Sequence, residues 1–100
     1  MNNKLYAPIH PGEVLLEDFL KGSAMTPDEL ANSIGISPRW INELVQGKRA
    51  ITAVTARILG QHYAVESQFW LNLQSRYELE IAEDLAAYEM VENNLLQCDF

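Results

Sequence analysis

Thr26-Pro-Asp-Glu-Leu-Ala-Asn-Ser-Ile-Gly-Ile-Ser-Pro-Arg-Trp-Ile-Asn-Glu-Leu-Val-Gln-Gly-Lys-Arg49 decides the fold. It carries two start signals of one kind, Thr26-Pro27 and Ser37-Pro38. A hydroxyl side chain can cap a free N–H at a helix start. Proline suits the next position, because the N–H it lacks would go unpaired there. Glu29, three residues after Thr26, completes a capping-box pattern. Gly35 supplies a turn residue that accepts positive φ. The predicted helices run from about Pro27 to Ile34 and from about Pro38 to Val45 or Gln46, with Gly47 stopping the second. Two short helices around a glycine turn describe a helix-turn-helix, whose second helix can enter a DNA major groove.

Working outward, the remaining pattern is helical and contains no strand. A first helix begins near Pro11, carries Val14, Leu15, Leu16, Phe19 and Leu20, and ends before Gly22. Its apolar spacing leaves Glu13, Glu17 and Asp18 on a polar side. Thr52 caps a helix reaching about Tyr63. A fifth helix starts near Glu66 or Ser67 and contains Phe69-Trp-Leu-Asn-Leu-Gln74. A last helix follows, directly or after a kink, to about Leu96. The expected class is all-α, with a helix-turn-helix domain over residues 1–76 and an acidic helical extension over 77–100.

Within the second helix of the motif, Ile41, Leu44 and Val45 fall on one face at 100° per residue and must be buried. Arg39, Asn42, Glu43 and Gln46 point the other way. These groups match base edges: arginine pairs with guanine, asparagine and glutamine with adenine, and glutamate accepts from cytosine. The plainer reading, four solvated polar residues, is set aside because they stand on a recognition helix. Ser37, Lys48, Arg49 and Thr52 flank that helix and are candidate phosphate contacts; Thr52 can also present the first N–H groups of its helix.

The chain has 100 residues and a net charge of −7, an unusual balance for a DNA binder. The charge is unevenly placed. Residues 76–100 hold Arg76 against seven acidic residues, whereas residues 38–65 hold Arg39, Lys48, Arg49 and Arg57 against Glu43 alone. Salt screens exposed charges beyond about 8–10 Å, so phosphate binding depends on the local basic patch. No apolar run is long enough to span a bilayer, the first residues lack a signal-peptide core, and Cys98 is the single cysteine. A cytoplasmic protein is expected.

Three motifs occur together over about residues 8–76: His10-Pro-Gly-Glu-Val-Leu15, Ile41-Asn-Glu-Leu-Val-Gln-Gly-Lys-Arg-Ala-Ile-Thr52 and Phe69-Trp-Leu-Asn-Leu-Gln74. In this order and spacing the chain resembles the HigA family of antitoxins, also called VapI-like or plasmid-maintenance antidote proteins. That family is a branch of the lambda-repressor-like, Xre-type helix-turn-helix proteins. The resemblance implies a five-helix DNA-binding domain, a homodimer, double-stranded operator DNA as one partner and a RelE-like (HigB-type) ribonuclease toxin as another. It further implies repression of the protein's own operon. Trp40 stands where members of that family often carry a polar or basic residue.

Two other function classes stay open: a stand-alone Xre-type regulator without a toxin, and a protein-interaction module that no longer binds DNA. An enzyme is not expected. His10 and His62 stand in no ligand motif, the lone Cys98 is not expected to be a nucleophile, and no phosphate loop is present, so no metal or cofactor is expected. His10 reads as a cap or packing residue at the first helix, and His62 as the end of the fourth. Phe69, Trp70 and Leu73 are assigned to the core or a dimer contact. Ile81, Leu85, Tyr88, Val91 and Leu95 form an apolar stripe opposite an acidic face. That stripe can fold back, dimerise or bind the toxin, and Ile81, Leu85 and Tyr88 are the toxin-contact candidates.

Overall fold

The computed structural model describes the backbone of residues 7–97 and the side chains of residues 7–89. Val91, Leu95 and Cys98 lie outside the described side chains. Among the described residues there is no strand. Helix α1, Pro11–Val14, runs without a break into a π-helical stretch, Leu15–Leu20; α2 is Pro27–Ile34, α3 Pro38–Val45, α4 Ala53–Tyr63 and α5 Ser67–Gln97. This is the all-α, lambda-repressor-like arrangement of five helices. The fifth helix and the C-terminal helix are one continuous element of 31 residues, with no break at residue 76.

Local chemistry sets the starts of these helices. His10 Nδ1 accepts the Gly12 N–H at 2.9 Å and caps α1. Thr26 and Glu29 form a reciprocal capping box, the Glu29 N–H donating to Thr26 at 3.1 Å and the Thr26 N–H to Glu29 at 2.9 Å. Thr52 caps α4 by accepting from the Thr55 N–H at 3.3 Å. Ser37 departs from expectation: its side chain caps nothing. At φ −56 and ψ 130 it lacks the extended backbone of Thr26 and Thr52, so its hydroxyl is not aimed at the first turn of α3.

The ends of the first helical region, α2, α3 and α4 share one device. Each closes with a left-handed residue and a six-residue hydrogen bond to the last turn, which satisfies carbonyls that a helix end leaves open. The left-handed residues are Ala24, Gly35, Gly47 and Ala64. The closing bonds run from Met25 to Leu20, Ile36 to Ala31, Lys48 to Glu43 and Val65 to Gly60, at 2.8–3.1 Å. The first helical region ends at Leu20, before Gly22 as expected, and its closing turn reaches Ala24. Its π stretch, marked by the Lys21 N–H bonding five residues back to Leu16, changes the repeat so that Leu15 and Leu20 are both fully buried.

The core gathers Leu15 and Leu20 with Leu30, Ile41, Leu44, Ile51, Leu59 and Trp70. Burying a leucine-sized side chain contributes about 1.5–3 kcal/mol, so these residues dominate the stability of a small domain. Trp70 is the largest of them; its ring lies 5.0 Å from Phe19 and 5.2 Å from Phe69. The core pins α2 and α3 to the rest of the domain and leaves the outer face of α3 in solvent. Leu73 is the last α5 side chain packed on the core, and Tyr77 still meets His10 at 4.8 Å. The helix then continues beyond the domain, giving the molecule extents of 60 × 22 × 21 Å. Among the described residues no helix is long and apolar enough to cross a membrane.

Candidate nucleic-acid interface

Helix α3 buries Ile41 and Leu44 completely. Because α-helical residues advance by 100°, Arg39, Asn42, Glu43 and Gln46 then share the outward side. Arg39 and Gln46 are exposed; Asn42 and Glu43 are half-buried. Ser37 is exposed at the start of the helix, and Lys48, Arg49 and Thr52 are exposed after its end. The structure thus brings all eight sequence-derived DNA candidates to one edge of the domain.

They are not eight independent groups. Glu43 uses one carboxylate oxygen for Arg39 Nε at 3.2 Å and the other for Arg49 Nε at 2.5 Å. Arg49 and then Arg39 hold the Glu43 carboxyl below the usual carboxylate range. The Arg49 guanidinium also lies 5.7 Å from the Trp40 ring centroid, within cation–π range. Asn42 donates to Asp28 at 2.7 Å and to the Pro38 carbonyl at 2.8 Å. The outer face of α3 is therefore an ordered polar network that reaches back to α2.

The loop between α3 and α4 is equally ordered. Gly47 is left-handed at φ 79, and the His10 ring packs over its Cα side, 3.7 Å from where a Cβ would stand. Ile51 is buried, and its N–H donates to Gln74 Oε1 at 2.8 Å; Gln74 Nε2 in turn donates to Glu78 at 2.8 Å. Lys48 and Arg49 thus sit on a loop held from α1 by His10 and from α5 by Gln74. Burial lowers the His10 pKa from 6.5, against weaker opposing effects of a hydrogen bond to the Arg49 backbone and the charge of Glu13.

Proteins similar in sequence are known, and solved ones share the fold. Virulence-associated protein I of Dichelobacter nodosus is 44% identical over 75 residues, covering 75% of this chain and 69% of that protein. The Pseudomonas aeruginosa antitoxin HigA, solved with the higBA promoter, is 37% identical with a TM-score of 0.78, over 83% of this chain and 90% of that one. An addiction module antidote protein of the HigA family from Coxiella burnetii is 32% identical with a TM-score of 0.78, over 87% and 95%. The chain belongs to the HigA family of antitoxins. No protein-family model matches it.

In this HigA-family chain, two positioning residues are not evident from sequence periodicity. Gln74 could be read as a helix-end or dimer-axis group, but it is buried and fastens the basic loop. His10 was legible as a cap, whereas its contacts with Gly47 and Tyr77 join segments far apart in sequence. Among the core or dimer candidates, Trp70 is fully buried, Leu73 is partly buried against the core, and Phe69 is at the exposed edge. Ile81 is half-buried, while Leu85 and Tyr88 are 57% and 62% exposed.

Proposed function

We propose that this chain is a DNA-binding antitoxin that represses its own operon and neutralises a RelE-like ribonuclease toxin. The carrying observation is the exposed edge formed by Arg39, Asn42, Glu43 and Gln46 on α3 with Lys48 and Arg49 directly after it. That edge has the layout of a recognition helix followed by a phosphate clamp. The promoter complex of the Pseudomonas relative supports the same reading. Arg39 reads guanine. Asn42, Glu43 and Gln46 contribute further base contacts. Ser37, Lys48, Arg49 and the Thr52 end of α4 meet phosphates. Residues 1–76 serve DNA binding, and the acidic residues 77–100 serve a protein partner. The protein acts in the cytoplasm, by binding rather than catalysis.

One recognition helix covers little DNA, so tight binding calls for a symmetric homodimer on a pseudo-palindromic site, with half-sites about 34 Å apart. In this reading Phe69 and the part of Leu73 left exposed meet a second copy, with Trp70 as the packing anchor behind them. The toxin is a basic protein, because it must bind ribosome and RNA. The acidic overhang of α5, with Ile81, Leu85 and Tyr88, supplies charge attraction and an apolar contact.

The test has two arms. Selection from a random DNA pool should recover a pseudo-palindrome, and co-expression with the protein encoded by the adjacent reading frame should rescue growth from that protein's toxicity. A recovered palindrome without rescue leaves a stand-alone regulator. Rescue without any enriched DNA leaves an interaction module.

A further inference from the structure

We infer that Glu43 is a specificity-determining residue that acts by restraining Arg39 and Arg49, so that cognate DNA binds by exchanging these pairs and non-cognate DNA does not. The inference rests on the DNA-binding reading above and adds a role that base complementarity alone does not give Glu43. Both of its oxygens are engaged, one by each arginine. Arg39 is the base-reading candidate, at the N-terminal end of α3. Arg49 is the phosphate candidate, just past its C-terminal end. A single carboxylate therefore holds the reading group and the clamping group together across the face that would meet DNA.

The consequence follows from competition. Non-specific binding comes almost entirely from protein cations that meet phosphates and release their counterions. An arginine neutralised by Glu43 contributes less to that attraction, and the carboxylate itself repels the backbone. A guanine edge offers Arg39 two parallel acceptors, a stronger contact than a solvent-accessible ion pair, so a cognate site can take the arginine from Glu43. Exchange also frees one Glu43 oxygen to face the bases, where it can accept from a major-groove amino group such as that of cytosine. The same restraint orders Arg49, whose guanidinium lies near the Trp40 ring. Glu43 is thus a filter against phosphate-only contacts on a chain whose overall charge is already −7.

The experiment measures binding of wild type, Glu43→Gln and Arg39→Ala/Glu43→Gln to two probes across a salt series. One probe is a duplex of scrambled sequence; the other is the duplex that wild type selects from a random pool. Far-UV circular dichroism and thermal melting confirm that each variant is folded. Glu43→Gln should bind the scrambled duplex several-fold more tightly, with a salt slope steeper by about one for each arginine released. Its preference for the selected duplex should fall roughly tenfold. Part of the gain should vanish in the double variant, because it acts through Arg39.

Equal weakening on both probes would make Glu43 a merely structural residue and overturn the inference. So would a loss confined to the selected duplex with scrambled binding unchanged, which would make Glu43 a plain base reader. If wild type enriches no sequence and binds neither duplex, the DNA-binding reading fails as well, an outcome distinct from both.

Discussion

The Cα of Gly12 lies so close to the Leu44 carbonyl that a Cβ on it would stand 1.8 Å from that oxygen. The contact joins the first turn of α1 to the C-terminal end of α3, next to the loop that carries Lys48 and Arg49. Backbone meets backbone here, so no side-chain rotation can make room. Gly12→Ala should cost about 2–3 kcal/mol and lower the melting midpoint by roughly 10–20 °C. Calorimetry of the variant checks this; a midpoint within a degree or two of wild type would show that α1 can shift freely against α3.

Much of the architecture was legible because it depends on short-range rules. Thr26 with Glu29, Thr52 and Gly47 act within one turn of their own helix, and their signals stand in the sequence at fixed spacings. The outward face of α3 followed from the burial of Ile41 and Leu44. What was not legible depends on distant partners. Nothing in Ser37-Pro38 reveals that the serine backbone turns its hydroxyl away from the helix. Alanine at positions 24 and 64 carries no sign of left-handed backbone, since the tertiary fold imposes it. The Gln74–Ile51 bond and the Glu43 network need α5 against the loop and the loop against α3, which periodicity cannot report.

The left-handed alanines give a direct stability prediction. Ala64 sits at φ 54, where a Cβ crowds the following carbonyl. It is exposed, so its methyl group contributes little packing. Ala64→Gly should therefore stabilise the protein by about 0.5–1 kcal/mol, even though glycine loses more chain entropy on folding. Urea unfolding midpoints measure this. A lower midpoint with an unchanged slope would mean that entropy outweighs the relieved strain.

His10 should make stability depend on pH. Its folded pKa is lowered from 6.5 by burial, so the neutral ring is the one that fits the fold. Neutral Nδ1 accepts the Gly12 N–H, and protonation destroys that acceptor. Its surroundings are Glu13 from α1, Tyr77 from α5 and the Arg49 backbone from the loop. The unfolded chain takes up its proton first as pH falls below 6.5. The contribution of His10 is thus complete above that pH, falls as pH drops toward the folded pKa, and levels off below it. Denaturation midpoints from about pH 8 to about pH 5 should show this loss, and His10→Asn should remove it. An imidazole signal from His10 titrating above 6.5 would contradict the assignment.

Lys48 is exposed on an ordered loop, and the proposed DNA-binding reading assigns it a phosphate contact. Lys48→Ala should weaken binding to every duplex about equally and reduce the magnitude of the salt slope by about one. Arg39→Ala should behave differently, costing roughly 1–3 kcal/mol on the selected site and relaxing one base position. Comparing the two variants on selected and scrambled duplexes separates clamping from reading. Identical profiles would mean that both residues meet only the backbone.

Leu85 and Tyr88 are exposed on the part of α5 that continues beyond the core, amid Glu83, Asp84 and Glu89. Substitution of exposed positions usually changes stability by no more than about 0.5 kcal/mol, so function can be tested there without unfolding the domain. Leu85→Lys with Tyr88→Lys removes apolar area and introduces repulsion toward a basic toxin. The variant should keep its helical content, its melting midpoint and its DNA binding. It should lose most of its ability to neutralise the adjacent-frame protein, and the loss should be smaller at high salt, which screens the introduced repulsion. A fall in melting midpoint that deepens on dilution would assign these residues to the homodimer instead. Full neutralisation by a folded variant would move the toxin contact off the overhang, toward α1 or the exposed edge of α5 at Phe69.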